Sequence, residues 1–284
     1  LLNNVDMIGD FCVEKTRRTE AYSMKSTHRH DAYEIYYMSK GERLYFIKER
    51  TYHVKAGDLV LVNMYDLHKT TEAYSPNHER ILINFKSDYI QRMANGMEES
   101  FYEIFQKFPV LRLNIKEQGA VESILRKMIE EYENKTEGYQ TYLRLLLVEL
   151  LLYIYRHIKK NKIEPIEYPN SLHEKVSEIV RYINSHYMDV LTLQSLSKQF
   201  HISPYYLSRV YKEVTGFSFV EYLNQVRINE AQKLLKTTNL NVTSIAEKVG
   251  YENPTHFGRV FKTITGTSPL KYRKNGSGTN TIDV

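Results

Sequence analysis

Ser203-Pro-Tyr-Tyr-Leu-Ser-Arg-Val-Tyr-Lys-Glu-Val-Thr-Gly216 and Asn253-Pro-Thr-His-Phe-Gly-Arg-Val-Phe-Lys-Thr-Ile-Thr-Gly266 are two versions of one segment, 50 residues apart in the same chain. Pro204, Arg209, Val210, Lys212, Thr215, Gly216, Ser218 and Tyr222 recur as Pro254, Arg259, Val260, Lys262, Thr265, Gly266, Ser268 and Tyr272. Upstream, Thr192, Ser195, Leu196 and Phe200 correspond to Asn241, Ser244, Ile245 and Val249 at a spacing of 49, so one residue is inserted between the blocks. Such agreement within one chain marks two copies of a supersecondary unit, too few for a solenoid. Each copy reads as helix, tight turn, helix. Thr192 or Asn241 caps the first helix, and His201-Ile202 or Gly250 to Glu252 turns the chain. Ser203 or Asn253 then caps a second helix with Pro at its first position, where a missing N–H costs nothing, and Gly216 or Gly266 ends it.

Helix, short turn, helix is the arrangement whose second helix enters a DNA major groove. Leu207, Val210, Tyr211 and Val214 in one copy, and Phe257, Val260, Phe261 and Ile264 in the other, recur at i, i+3, i+4 and i+7, and the spacing predicts a buried stripe. The opposite stripe holds Tyr205, Ser208, Arg209 and Lys212, then Thr255, Gly258, Arg259 and Lys262 with His256 beside it. Arg can bridge guanine O6 and N7, and Lys suits phosphate. A solvated basic surface is the bland alternative, and matched copies weigh against it. Between the copies, about Ser218 to Lys236 reads as a longer helix with Ile228, Ala231, Leu234 and Leu235 on its apolar side. A rigid spacer there would set the reading helices roughly 34 Å apart, in successive major grooves.

Charge placement agrees with a polyanion partner. Ser171 to Asn275 holds 14 Lys+Arg against 8 Asp+Glu, while the rest of the 284 residues is nearly balanced around a total formal charge of +5. Toward the N-terminus, Glu34 to Met38, Leu44 to Ile47, Leu59 to Asn63 and Ile81 to Phe85 alternate between Gly41, Gly57 and Pro76 and read as antiparallel strands. After Asp88 the period becomes helical. Val121, Leu125, Met128, Ile129 and Tyr132 fit one helix; Leu143, Leu146, Leu147, Leu150 and Ile154 fit a second. The second has more apolar surface than one stripe needs, which makes it a candidate homodimer interface. Pro165 and Pro169 mark a linker between Asn161 and Leu172.

The C-terminal part resembles the AraC/XylS transcription regulators. Arg227-Ile-Asn-Glu-Ala231-Gln-Lys-Leu-Leu235, Ile245-Ala246, Val249-Gly250-Tyr251, Phe257-Gly-Arg259-Val-Phe261-Lys262, Thr265-Gly-Thr-Ser-Pro269 and Tyr272-Arg273 carry the likeness, which covers Val176 to Lys274. It implies that Tyr205, Ser208 and Arg209 read bases in one groove of double-stranded DNA, and Thr255, His256 and Arg259 in the next. Gly258 lacks a side chain where the first copy has Ser208. Arg227 is read as structural. A cytoplasmic homodimer acting with RNA polymerase is implied as well.

His28-Arg-His30, with Glu34 and Gly41 downstream, resembles the first motif of cupin barrels, in which two His and a Glu on inward strand positions bind metal. The second motif is partial: Gly57 and His68 fit, whereas Asn63, Tyr65 and Glu72 depart from it. The donor types suit zinc, nickel or iron. Regulators of this family often keep the pattern while using the barrel for an organic effector, so the expected use is a metal-free pocket lined by His28, His30, Glu34, His68 and, by alternation, Tyr36 and Met38. The 24 Tyr without Trp suit a sugar-like ligand.

The expected fold is α+β in two domains. Residues 1–100 form a cupin-like antiparallel barrel, 101–160 a helical dimerisation segment, 161–172 a linker, 173–275 an all-α double helix-turn-helix domain and 276–284 a tail. A single cysteine, Cys12, excludes an internal disulfide framework. Leu145 to Tyr155, broken by Glu149, falls short of the roughly 20 residues of a spanning helix, and the first residues lack the pattern of a secretory signal. The expectation is an effector-controlled DNA-binding transcription regulator, not an enzyme. Two rivals remain: a metal-dependent cupin enzyme carrying a DNA-binding appendage, and a DNA-binding protein whose barrel takes no ligand.

Overall fold

The computed structural model describes residues 10–20, 31–91 and 96–276, which divide into two units, Leu1–Glu174 and Lys175–Val284. The first contains β1 (Phe11–Arg18), β2 (Tyr33–Lys40), β3 (Glu42–Ile47), β4 (Arg50–Lys55), β5 (Asp58–Val62), β6 (His68–Glu72), β7 (His78–Phe85) and β8 (Val110–Arg112). They pair antiparallel in a five-stranded sheet of order β1-β7-β2-β5-β8 and a three-stranded sheet of order β4-β3-β6. β2 is the centre of the larger sheet, and its first six residues are all buried. Tyr33, Ile35 and Tyr37 belong to a core that includes the following helices, while Tyr36 and Met38 belong to a second core shared with Tyr45, Ile47 and Val54 of the smaller sheet. A strand covered on both faces loses the apolar/polar alternation of a half-exposed one. Gly41 makes the β2–β3 turn at φ +82°, where a Cβ would lie 2.2 Å from the Asn77 carbonyl oxygen.

The helices of this unit are α1 (Asp88–Gln91), α2 (Glu98–Lys107), α3 (Ile115–Asn134) and α4 (Tyr139–Lys160). A capping box between Asn114 and Glu117 starts α3. The sequence boundary at residue 100 cuts through α2, and β8 pairs with β5, so the segment after 100 is not purely helical and shares one core with the strands. The reading of α4 is corrected. Leu143, Leu146, Leu147, Leu150 and Ile154 are at most 2% exposed and fill that shared core, because the larger sheet needs its outward face covered. Apolar surface left exposed on α4 is Tyr142 and Leu145, with Val148 and Leu152 partly buried.

The segment after α4 is held down. Ile166 packs on the core between the sheets, Arg50 donates to the Ile166 carbonyl, and the Arg50 guanidinium lies 4.0 Å from the centre of the Tyr168 ring. The expected linker therefore ends two residues early, where α5 (Ser171–His186) begins, and part of it is fixed by an arginine that sequence reading left unused.

The second unit continues with α6 (Leu193–Gln199), α7 (Pro204–Thr215), α8 (Phe219–Thr237), α9 (Val242–Lys248), α10 (Pro254–Thr265) and α11 (Pro269–Gly276). α8 packs against α7, α9, α10 and α11. Its Arg227 acts as the expected structural residue. Nε donates to the Tyr187 carbonyl at 2.7 Å, Nη2 donates to that of Asp189 at 2.9 Å, and the guanidinium stands 5.3 Å from the Tyr251 ring centre. The arginine satisfies carbonyls just past the end of α5 and supports the turn of the second copy.

Candidate DNA-reading helices and ligand chamber

Local chemistry builds both turns alike. Phe200 ends α6, His201 takes φ +54°, and the Ile202 N–H donates back to the Ser197 carbonyl at 3.0 Å. Val249 ends α9, Gly250 takes φ +88°, and the Tyr251 N–H donates to the Ala246 carbonyl at 2.9 Å. Both are left-handed C-terminal caps that satisfy the last carbonyls and reverse the chain. The following helices start on side-chain caps. Ser203 accepts from the Tyr206 N–H, and Asn253 accepts from those of Thr255 and His256. Gly216 and Gly266 end them at φ +86° and +77°.

The stripes separate accordingly. Leu207, Val210, Tyr211 and Val214 are buried in α7; in α10 Phe257 and Phe261 are buried, whereas Val260 and Ile264 are only partly so. Tyr205, Ser208, Arg209, Lys212, Thr255, His256, Arg259 and Lys262 are all exposed. Tyr205 is 82% exposed, a large aromatic surface left open to solvent. α10 contains no acidic residue, and α7 has one, Glu213. Sequence reading missed Tyr206, whose ring centre is 5.5 Å from the Arg209 guanidinium carbon. An arginine resting on an aromatic face loses less freedom when it binds.

In the first unit, alternation and register place the expected pocket residues. Glu34, Tyr36 and Met38 share the face of β2 that looks toward the smaller sheet. Glu34 is 4% exposed; its Oε1 accepts from the Tyr45 hydroxyl at 2.5 Å, and its Oε2 lies 3.8 Å from His68 Nε2. His68 Nδ1 faces the Asp66 carbonyl at 2.9 Å, so that nitrogen carries the proton and donates. His28 and His30 lie outside the described residues. Burial pushes the Tyr36 phenol up to about 12, with Arg80, Arg43 and Arg18 pulling it back and Glu34 adding to the rise.

Several residues on this face escaped sequence reading. Arg43, Tyr45 and Ile47 of β3 alternate inward opposite Glu72, Thr70 and His68 of β6. Arg43 is 1% exposed, with Nη2 3.5 Å from the Thr70 hydroxyl. On β7, Arg80 lies beside Met38, its guanidinium carbon 5.6 Å from the centre of the Tyr36 ring, and His78 follows two residues away beside Arg18 of β1. In-out parity along strands already detected was the available signal, but an arginine at an inward position breaks the apolar pattern by which such a face is recognised. Among the described residues no helix is long and apolar enough to cross a membrane, and no group of three or more His, Cys, Asp and Glu is placed to hold a metal ion.

Residues 13–152 match the family model described as an AraC-like ligand binding domain, and residues 196–275 match that of a helix-turn-helix domain. The uncharacterized HTH-type transcriptional regulator YisR of Bacillus subtilis (strain 168) is 27% identical over 255 residues, 85% of this chain and 85% of its own. The HTH-type transcriptional activator RhaR of Cronobacter sakazakii is 23% identical over 259 residues, 87% of this chain and 86% of its own. A shorter match of 120 residues, 38% identical, reaches the bifunctional transcriptional activator/DNA repair enzyme AdaA of Bacillus subtilis (strain 168), covering 42% of this chain and 56% of that protein. With a ligand-binding domain and a helix-turn-helix domain in this order, and full-length relatives that are transcriptional regulators, the chain belongs to the AraC family of transcription regulators.

Proposed function

We propose that α7 and α10 read successive major grooves of one DNA site, under control of a small organic effector held between the two sheets of the first unit. The carrying observation is the pair of matched helices, each with one buried stripe and an exposed stripe that ends in Arg and Lys. In this reading Tyr205, Ser208, Arg209, Thr255, His256 and Arg259 meet base edges, and Lys212 and Lys262 meet phosphate. Two copies on one rigid α8 favour paired recognition over a single-groove grip.

The effector reading is supported by buried polar groups, Glu34, Tyr36, Tyr45 and His68, on a face that could have been wholly apolar. Polar groups in an interior cost stability unless they serve a specific interaction. Binding without turnover is part of the proposal: the Glu34 carboxylate is already engaged by the Tyr45 hydroxyl. A homodimer would use the exposed side of α4, around Tyr142 and Leu145, rather than the buried leucines. RNA polymerase is the partner expected of an activator.

Residues 171–275 expressed alone test the division. The fragment is expected to fold as a monomer and to bind the same DNA site, without any effector response. A fragment that sediments as a stable dimer removes α4 as the interface, and one that folds without binding DNA removes α7 and α10 as reading helices. Elemental analysis tests the rival metal reading: near-stoichiometric zinc, nickel or iron that disappears in His68→Ala would replace the organic effector with a metal centre.

A further inference from the structure

Three arginines converge around one spot on the described interior face of the first unit. Arg80 of β7 stands over Tyr36, Arg18 of β1 is opposite His78, and Arg43 enters from the smaller sheet. Arg43 has Glu72 as its cross-strand neighbour, and Glu34 is engaged by Tyr45. Arg80 forms no ion pair among the described residues: Thr16 and Met38 stand opposite it, and Glu14, diagonal to it on the same face, accepts from the Thr16 hydroxyl. The Arg80 Nε is shut off from solvent with no hydrogen-bond partner among the described residues, and its one aromatic neighbour, Tyr36, is neutral at physiological pH. A partly buried guanidinium without a carboxylate costs stability, since charge is desolvated without compensation. Such a group persists where an anion arrives to complete it.

His78 adds a second feature. Its Nδ1 lies 3.2 Å from the Pro76 carbonyl, which can only accept, so Nδ1 carries the proton and Nε2 is left as an acceptor. Burial, with Arg43, Arg80 and Arg18 nearby, lowers its pKa and keeps the ring neutral near pH 7. An acceptor nitrogen two residues from Arg80, with the Glu34 carboxylate further along the same face, suits ligand hydroxyl groups.

We propose that the effector is a small hydroxylated anion, a carboxylate or a phosphate ester, whose charged end sits on Arg80 beside Tyr36 and whose hydroxyls face His78 and Glu34. This rests on the effector reading above and narrows it: a neutral sugar leaves the Arg80 guanidinium unanswered. Planar, forked donors match both carboxylate and phosphate, so the shared anionic chemistry is what the site selects.

The test is thermal unfolding of the full chain, titrated with glucose, gluconate, glucose 6-phosphate and inorganic phosphate, each against sodium chloride at equal ionic strength. Gluconate and glucose 6-phosphate separate the carboxylate from the phosphate source. At least one anion is expected to raise the melting temperature saturably while glucose does not. Arg80→Gln should weaken that response about 10- to 100-fold, as expected for loss of a charge-assisted hydrogen bond. Arg80→Lys should retain part of it, and Lys15→Gln, at an exposed position of β1, should leave it intact. Ligand-free Arg80→Gln is expected to melt no lower than the parent. A lower melting temperature in ligand-free Arg80→Gln makes Arg80 a structural residue and overturns the assignment. Glucose acting as strongly as its anions, or an unchanged response in Arg80→Gln, overturns the anion assignment and leaves the effector reading standing. No saturable response to any probe removes both.

Discussion

The two helix-turn-helix copies use the same local rules and differ in what surrounds them. At the turn, both chains take a positive φ, but His201 does so on the surface, whereas Gly250 is pressed against Tyr187, Met188 and Arg227. Within the reading helices, Tyr211 of the first copy is replaced by Phe261 in the second, and both rings pack edge-on against a Tyr of the next helix, Tyr222 and Tyr272. On the exposed side, Arg209 leans on Tyr206, while Arg259 has no aromatic support among the described residues. The repeat therefore fixes the fold of each copy, and the departures from it show where tertiary packing and recognition diverge.

The largest expected contrast is at the turns. Gly250→Ala should cost roughly 2 to 3 kcal/mol in urea unfolding, because the backbone is strained for any L side chain and an added Cβ would stand 2.8 Å from the Met188 carbonyl oxygen. His201→Gly should change stability by less than about 0.5 kcal/mol, since relief of the left-handed strain is offset by the freer unfolded chain. Equal losses at the two turns would mean that packing does not distinguish them.

On DNA, Arg209→Ala and Arg259→Ala should each cost about 1 to 3 kcal/mol on the specific site and relax base preference there. The pre-oriented Arg209 is expected at the upper end and Arg259 at the lower. Competition between specific and random duplexes measures this, and unchanged specificity in both variants would overturn the reading helices.

Tyr211 carries a hydroxyl that is buried with no hydrogen-bond partner among the described residues, the atom that Phe261 lacks. Tyr211→Phe should therefore raise stability by about 1 kcal/mol at pH 7. Burial pushes the Tyr211 phenol well above its ordinary range. The unfolded phenol loses its proton near pH 10 while the folded one keeps it, so the parent loses stability as pH rises past about 10, and the gain from Tyr211→Phe should widen there. Unfolding midpoints that fall equally in both proteins at alkaline pH would contradict the burial of that hydroxyl.

The smallest effect is at Lys212 and Lys262. Each change to Ala should reduce the slope of log affinity against log salt by roughly 1 and weaken all sequences alike, the deficit shrinking about threefold from 50 to 200 mM salt. A loss confined to the specific site would turn either lysine into a base reader.

The caps explain how much was legible beforehand. Thr192, Ser203, Asn241 and Asn253 each bond the backbone two or three residues on, so helix starts follow from adjacent residues alone. The same locality made the exposed stripes of α7 and α10 readable, because a helix surface is fixed by its own period. α4 shows the limit: its apolar excess was visible, but whether Leu146 and Leu150 met a second copy or the adjacent sheet depended on residues far away in sequence.

Sequence by itself determined the two copies, their turns, the basic exposed faces and the inward parity of Glu34, Tyr36 and Met38, since each depends on neighbours within a few residues. Only the tertiary structure decided that α4 closes the larger sheet, that Ile166 and Tyr168 are held against the first unit by Arg50, and that Arg18, Arg43 and Arg80 converge near Tyr36. Those outcomes depend on strand order, register and the pairing of two sheets. An inward arginine breaks the hydrophobic pattern that reveals a strand face, and its meaning emerges only when the charges around it are brought together.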